Sequence, residues 1–346
     1  MWRHTLDAVL LLASVARTSS ELMAYTGLEA QPAGFRTTSL YAIDIDTANI
    51  TFMVDFNNGS VIQKPSGAPC VQGGRSRMDV SNGVVVGTAG ALTDTPLLVH
   101  NGSSWCDAGV SGIWGITALP TRTSEELSFV AFQSTYNESA STFNFTIGEV
   151  MLAPSVAAPV AQFNLKLSWN QVNDQDQKFL ACAMQSGDQE FVAVDTKNDL
   201  LYFVCGKLEG GVQVLTTVNI AASKPWELLT HHELPAELHL VHLLGVSQDG
   251  SVVATAGWGN GTIGIGKFNS TSLDWNANMV MYPMINHGPI FSMDSSSDTV
   301  FVWDASPVAD SDGESRLGKV SLDTGEIDFV VASDNMHATN LVFIEE

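Results

Sequence analysis

Basic residues are scarce in this chain. Fifteen Lys and Arg stand against 37 Asp and Glu in 346 residues, a formal charge of −22. A surface of that sign repels phosphate backbones, which argues against nucleic acid as a partner and in favour of solubility and an attraction for cations or basic proteins. Cysteine is sparse as well. The four (Cys70, Cys106, Cys182 and Cys205) include no C-x-x-C, so neither a zinc knuckle nor a dithiol redox motif is supported. There is no G-x-S-x-G, and Ala256-Gly257-Trp258-Gly259 lacks the lysine and the strand-to-helix setting of a phosphate loop. No apolar run is long enough to span a bilayer, and the last residues, Phe343-Ile344-Glu345-Glu346, carry no anchor signal.

What the chain does have is a recurring pair of short apolar runs separated by a turn centred on Asp or Gly. Leu40–Asp46 leads into Ile50–Val54, Phe191–Asp195 into Leu200–Val204, and Leu244–Gly250 into Val252–Ala256. Ile290–Asp294 leads into Val300–Trp303, and Val320–Gly325 into Ile327–Val331. Hairpins at this spacing over most of the length point to stacked antiparallel blades rather than a sandwich or an α/β sheet. With 45% hydrophobic residues there is ample material for the layers between them.

The first residues read as a targeting segment. Arg3 and His4 precede the apolar stretch Ala8–Ala13, and Ser14-Val15-Ala16 places small residues for cleavage after Ala16. Residues 1–16 are therefore expected to be a signal peptide, 17–36 an irregular lead-in, and 37–346 the folded domain. Seven Asn-x-Ser/Thr triplets, at Asn49, Asn58, Asn101, Asn137, Asn144, Asn260 and Asn269, fit a glycosylated protein of the secretory pathway. Four cysteines suit that oxidising compartment and allow three pairings. If Phe179–Met184, Phe191–Val194 and Leu200–Cys205 are consecutive strands, Cys182 and Cys205 lie two strands apart, about 9–10 Å. That exceeds what a disulfide tolerates. Cys70–Cys106 is the favoured pair, with the other two reduced or differently placed.

Further hairpins complete the layout. Met78–Thr88 pairs with Pro96–Cys106, Ile113–Phe132 with Thr142–Phe163, and Leu165–Met184 with Glu190–Val204. Val212–Leu229 is less regular, Val241–Trp258 goes with Thr262–Tyr282, and Pro289–Trp303 goes with Gly318–Val331. A lone final strand, Asn340–Ile344, and an orphan first hairpin, Leu40–Phe56, are complementary leftovers of the kind that close a β-propeller by completing one blade from both termini. At about 40–50 residues per blade the ring has six or seven four-stranded blades, with seven favoured. Leu40-Tyr-Ala-Ile-Asp-Ile-Asp-Thr and Val320-Ser-Leu-Asp-Thr-Gly-Glu resemble the hairpins of quinoprotein-like and YVTN-type propellers. Leu244-Gly-Val-Ser-Gln-Asp-Gly-Ser resembles the inner hairpin of a WD-type or YVTN-type blade. At superfamily level this resemblance implies the fold and not an activity. A quinone cofactor is not expected, because the tryptophan-docking signature is not repeated.

Histidine carries the best site hypothesis. His242, His287 and His337 each stand shortly before a presumed innermost strand, where loops line one mouth of the channel. Three neutral imidazoles converging there could hold a divalent metal, the one cofactor these residues suggest. The competing reading is a hydrogen bond within each blade. His231, His232, His239 and His242 are also clustered, but in a regular strand His239 and His242 point to opposite faces and cannot share a metal. The acidic groups Asp304, Asp310, Asp312 and Glu314, and Asn173, Asp174 and Asp176, miss calcium-loop spacing and read as solvated turns. Trp258, Trp275 and Trp303 are sugar-stacking candidates if exposed and core residues if not.

The expectation is a secreted, glycosylated β-propeller that binds an extracellular protein or carbohydrate. The alternative is a metal-dependent hydrolase or lyase, lactonase-like, with its centre at the channel mouth. Non-reducing peptide mapping should recover Cys70 linked to Cys106; a Cys182–Cys205 peptide in its place would break the strand order assumed around them.

Overall fold

Five Asp- or Ser-headed turns set the spacing of the strands, and they are built alike. In the first, Asp44 Oδ1 accepts the amides of Asp46 and Thr47 at 3.1 and 2.8 Å and the Thr47 hydroxyl at 2.7 Å. Asp195 receives the amides of Lys197 and Asn198, and Asp294 that of Ser296. Four residues after each of these aspartates the backbone turns left-handed, at Ala48 (φ 54°), Asp199 (φ 55°) and Asp298 (φ 51°). Gly325 and Gly250 serve that purpose in the turns headed by Ser321 and Ser247. In the aspartate-headed turns a short side chain satisfies the turn's amides while the chain reverses; in the Ser247 turn Asp249 accepts the Ser251 amide and the Ser247 hydroxyl donates to Asp249.

In the computed structural model these turns join strands of four-stranded antiparallel sheets. The structure describes residues 21–30, 35–55, 76–81, 84–89, 96–100, 105–119, 127–137, 142–152, 161–170, 192–206, 213–222, 225–236, 238–258, 262–270, 272, 279–283, 289–304, 315–332, 338 and 340–344. The first sheet holds β1 (Glu21–Ala30), β2 (Phe35–Asp44) and β3 (Ile50–Asp55), with the last strand, β24 (Asn340–Ile344), on its inner side. In the second are β4 (Ser76–Ser81), β5 (Val84–Ala89), β6 (Pro96–His100) and β7 (Trp105–Ser111). The third comprises β8 (Ile113–Leu119), β9 (Leu127–Asn137), β10 (Thr142–Leu152) and β11 (Ala161–Asn170). The fourth has β12 (Val192–Asp195), β13 (Leu200–Gly206), β14 (Gln213–Asn219) and β15 (Glu227–Glu233). β16 (His239–Val246), β17 (Val252–Trp258), β18 (Thr262–Phe268) and β19 (Met279–Pro283) make the fifth. The sixth is β20 (Ile290–Asp294), β21 (Thr299–Asp304), β22 (Arg316–Ser321) and β23 (Ile327–Val331).

The first strands of successive sheets touch one another. β24 contacts β4, β4 contacts β8, β8 contacts β12, and so on through β16 and β20 back to β24. The arrangement is that of a β-propeller. Apolar layers fill the wedges between sheets. Phe132 and Ile147 of the third sheet meet Leu201, Phe203 and Trp226 of the fourth. Tyr202 and Leu215 of the fourth meet Leu243 and Ala254 of the fifth. Val253 and Tyr282 of the fifth meet Phe291 and Val302 of the sixth. The ring closes where β24 pairs with β1, from Glu21 opposite Ile344 to Tyr25 opposite Asn340. Phe343 stacks on Phe301 and its amide donates to Ser292 Oγ at 2.8 Å.

Two expectations need correction. Glu21–Ala30, placed in an irregular lead-in, is strand β1, because the orphan hairpin and the lone last strand need a common partner. The expected pairing of Leu165–Met184 with Glu190–Val204 is the second. Leu165 belongs to β11, paired with β10, and Cys205 stands opposite Val214, so β12–β13 and β14–β15 form a single sheet. The described residues form six sheets in all.

The scarce lysines tie sheets together on the turn side. Lys267 Nζ lies 2.8 Å from Asp323 and 2.9 Å from Asp298, both in turns of the next sheet, and 3.4 Å from Asp249 of its own. Lys319, at the corresponding place in the sixth sheet, lies 2.9 Å from Asp46 of the first. Partial burial pulls the Lys267 pKa down, but the hydrogen bonds it donates to Asp323 and Asp298 outweigh it and leave it above the ordinary value. The Ser247 hydroxyl, first among several donors, holds Asp249 well below the usual carboxylate range.

Gly250 has φ +84°, and a Cβ there would meet nothing within 4 Å. Gly250→Ala should therefore cost about 1–2 kcal/mol from backbone conformation alone, read by denaturant unfolding. Lys267→Met should cost about 2 kcal/mol, more than an exposed pair, because Asp298 is buried. The depressed Asp249 stabilises above about pH 4 and loses its contribution as pH falls below that, whereas raised Lys267 stabilises below about pH 10 and loses its contribution above. The Lys267→Met deficit should thus be flat between those limits and shrink in acid; a deficit that grows in acid would contradict the ion-pair account.

Candidate functional site

Antiparallel order gives the ring two unlike ends. The turns from first to second and from third to fourth strands lie at one end, and these include the five Asp- or Ser-headed turns. The connections from second to third strands, and from each sheet to the next innermost strand, lie at the other. The two longest, between Asp55 and Ser76 and between Asn170 and Val192, both lead into innermost strands. This second end is where the sequence placed the candidate histidines.

His242 is there, half-buried on the innermost strand β16 and opposite Thr255. His287 and His337 lie outside the described residues, in the stretches preceding β20 and β24. Among the described residues no group of three or more His, Cys, Asp and Glu could hold a metal. The register of β16 corrects the assumption of a regular strand: His239 stands opposite Gly257 and His242 opposite Thr255, so three steps on β16 match two on β17. The extra residue interrupts the regular pairing of β16 with β17. His231 is elsewhere, on the outer strand β15, its Nδ1 3.1 Å from Thr216 Oγ1. Burial, with a smaller contribution from His232, lowers its pKa.

A buried ion pair at this same end escaped sequence reasoning. Asp304, read as part of an acidic turn, is fully buried at the end of β21. Its Oδ2 accepts from Arg316 Nη2 and Nε at 3.1 and 3.3 Å. The guanidinium lies over the Phe329 ring at 4.0 Å and over Tyr282, from the fifth sheet, at 5.6 Å. Burial pushes the Tyr282 phenol above its ordinary value. The pair links two neighbouring strands of the sixth sheet, and the Tyr282 ring carries the contact to the fifth. Trp303 is buried and belongs to the core, while Trp275 is outside the described residues, as are Asp310, Asp312, Glu314, Asn173, Asp174 and Asp176. The lysine ties were missed too. Their signal is the Gly-Lys pair repeated at Gly266-Lys267 and Gly318-Lys319, each late in a third strand and each preceding a sheet whose turns offer a carboxylate.

Of the sequons, Asn49 and Asn269 are exposed, both at the turn end. Asn137 and Asn144 lie in β9 and β10, and Asn58, Asn101 and Asn260 are outside the described residues. Cys106 is in β7 opposite Val99 and Cys205 in β13, while Cys70 and Cys182 are outside the described residues. No helix of the described residues is long and apolar enough to cross a membrane.

No family model and no curated protein matches this chain. Some solved structures show a distant similarity to it. Trypanosoma rangeli sialidase in complex with sialic acid is 9% identical with a TM-score of 0.42, over 82% of this chain and 52% of that one. The chain spans about half the length of the sialidase chains it matches. Penicillium chrysogenum alpha-L-arabinanase complexed with arabinobiose is 12% identical with a TM-score of 0.45, over 88% and 90% of the two chains. A levansucrase mutant of B. megaterium is 9% identical with a TM-score of 0.43, over 84% and 92%. Likeness at this level assigns neither activity nor substrate. The class defined here is a β-propeller, without the YVTN, quinoprotein or WD subtype that single hairpins suggested.

Proposed function

We propose that this protein is a secreted, N-glycosylated propeller of six blades that binds an extracellular protein or carbohydrate. Its ligand sits at the end carrying the connections into the innermost strands. The observation that carries this reading is the inequality of the two ends. At one, turn residues and lysines are occupied with one another, as the Lys267 and Lys319 ties illustrate. At the other lie the two longest connections, and loops on a rigid frame are where binding residues concentrate. The leader of residues 1–16, the sequons and a Cys70–Cys106 bond belong to the same proposal. Asn49 and Asn269 are exposed and are its first expected glycan sites.

A second reading, a hydrolase or lyase using a divalent metal, draws on the half-buried His242 at the start of an innermost strand. One experiment addresses both. The full-length chain, expressed through its own leader, should enter the medium and lose mass on glycosidase treatment. Captured through Glu326→Cys at the turn end, it should bind a discrete set of glycans or ectodomains on an array. Retention in the cell, or a folded protein that binds nothing in this format, would overturn the binding proposal. Cleavage of an arrayed glycan would instead move the assignment to the second reading.

A further inference from the structure

An outer strand ends its sheet with a row of backbone groups that the sheet itself does not use, and four of the six outer strands here are irregular. β3 carries an extra residue at Met53, β11 at Lys166 and β15 at Leu229, and β7 is displaced between Asp107 and Ser111. Bulges of this kind, like edge lysines and prolines, spoil a strand as a template for another chain. In the fifth sheet β19 pairs regularly but ends in Pro283, which has no amide hydrogen. β23 has none of these devices. The run Ile327-Asp328-Phe329-Val330-Val331 pairs with β22 residue for residue, and among the described residues no strand lies on its far side.

Two hydrogen bonds fix which of its backbone groups face outward. The Ser321 amide donates to the Glu326 carbonyl at 3.0 Å, and the Ala332 amide to the Ser315 carbonyl at 2.9 Å. Bonded and non-bonded pairs alternate along an antiparallel ladder, so Asp328 and Val330 bond to β22 while Ile327, Phe329 and Val331 turn amide and carbonyl outward. Those three residues also share one side-chain face. Ile327 and Phe329 border the layer shared with the fifth sheet, with Phe329 beside Tyr282, yet Phe329 and Val331 remain 40% and 56% exposed. Asp328 is exposed on the other face. It stands opposite Lys319, whose amine is turned to Asp46 at 2.9 Å. Asp323 and Glu326, just before the strand, are exposed as well, and Arg316, against Phe329, is held by Asp304.

We propose that β23 is a docking edge at which an extended segment of another protein, alternating apolar and basic side chains, adds a fifth strand to the sixth sheet. Outward amides and carbonyls at every second residue are matched by a strand and not by a helix, whose own backbone groups are already bonded. Partner side chains on the Phe329 face meet apolar surface, and those on the Asp328 face meet carboxylate. The formal charge of −22 draws a basic segment and opposes a second copy of this chain. The surface is the outer rim of the ring rather than the loop end assigned above, so the inference goes beyond that function and stands or falls separately from it.

The probe is a capped heptapeptide of alternating valine and lysine carrying a fluorophore, titrated with the full-length chain and followed by anisotropy. It should bind saturably, whereas the same residues in block order, or valine alternating with glutamate, should bind at least about tenfold more weakly. Val331→Pro deletes an outward amide without taking a bond from β22, and should weaken binding about tenfold at unchanged melting temperature. Val331→Thr, which keeps the amide, should cost less than about threefold, and Asp328→Asn about threefold. N-methylation of the peptide gives a second reading that needs no variant. Only alternate residues of an added strand turn their amides to the edge, so methylating one set, valines or lysines, should abolish binding and methylating the other should spare it. Absence of saturable binding, equal loss or equal retention with both methylated sets, or indifference to Val331→Pro would overturn the edge. So would a dimer of the chain that Val331→Pro dissolves, because a second copy would then be the occupant.

Discussion

Everything in this fold depends on closing the ring. The six sheets of the described residues, stacked in sequence, leave one wedge open, with two exposed faces, unless the last meets the first, and what shuts the ring is non-covalent pairing between the two ends of the chain. That pairing is between β24 and β1. A strand that belongs to the sixth sheet by chain continuity belongs to the first by hydrogen bonding. The apolar layer behind it holds Leu22 and Ile43 from the first sheet with Phe301, Trp303 and Leu317 from the sixth. Burying each such side chain contributes about 1.5–3 kcal/mol, and that gain is available only when the ring is shut. Closure is thus what makes the remaining wedges worth filling.

Electrostatics works within that frame. With more than twice as many acids as bases, a lysine placed among carboxylates serves several at once. Lys267 meets three and spans two sheets; Lys319 repeats the arrangement toward the first. At the opposite end Arg316 and Asp304 form a pair inside an apolar layer, where the rings of Tyr282 and Phe329 flank the guanidinium. The cations therefore reinforce the same joints that the apolar layers form. The end with the tight turns is internally satisfied, and the long connections gather at the other.

Legibility followed the range of the interaction. Each of the five hairpins read from the sequence is present, for a hairpin is specified by its turn: Asp44, Asp195 and Asp294 accept their own turn amides within three residues. Which hairpins share a sheet was less legible. Nothing local says that Cys205 pairs with Val214. β1 escaped for a related reason, since its partners are the second strand and the last. At the candidate site, His242 and its position on an innermost strand were readable from sequence. The register shift beside it was not, because the acceptor for Val241 is Gln213, 28 residues away in another sheet.

The sequence by itself determined the all-β class, the hairpin units and their turns, the excess of negative charge, and the residue types available for binding. These rest on short-range causes: alternation, turn chemistry and composition. Only the tertiary structure decided that Asp304 is a buried partner of Arg316 rather than an open acidic turn, and that Trp303 is core. Each depends on groups brought together from different strands or sheets, and such meetings are set by the packing of the closed ring rather than by any neighbour in the chain.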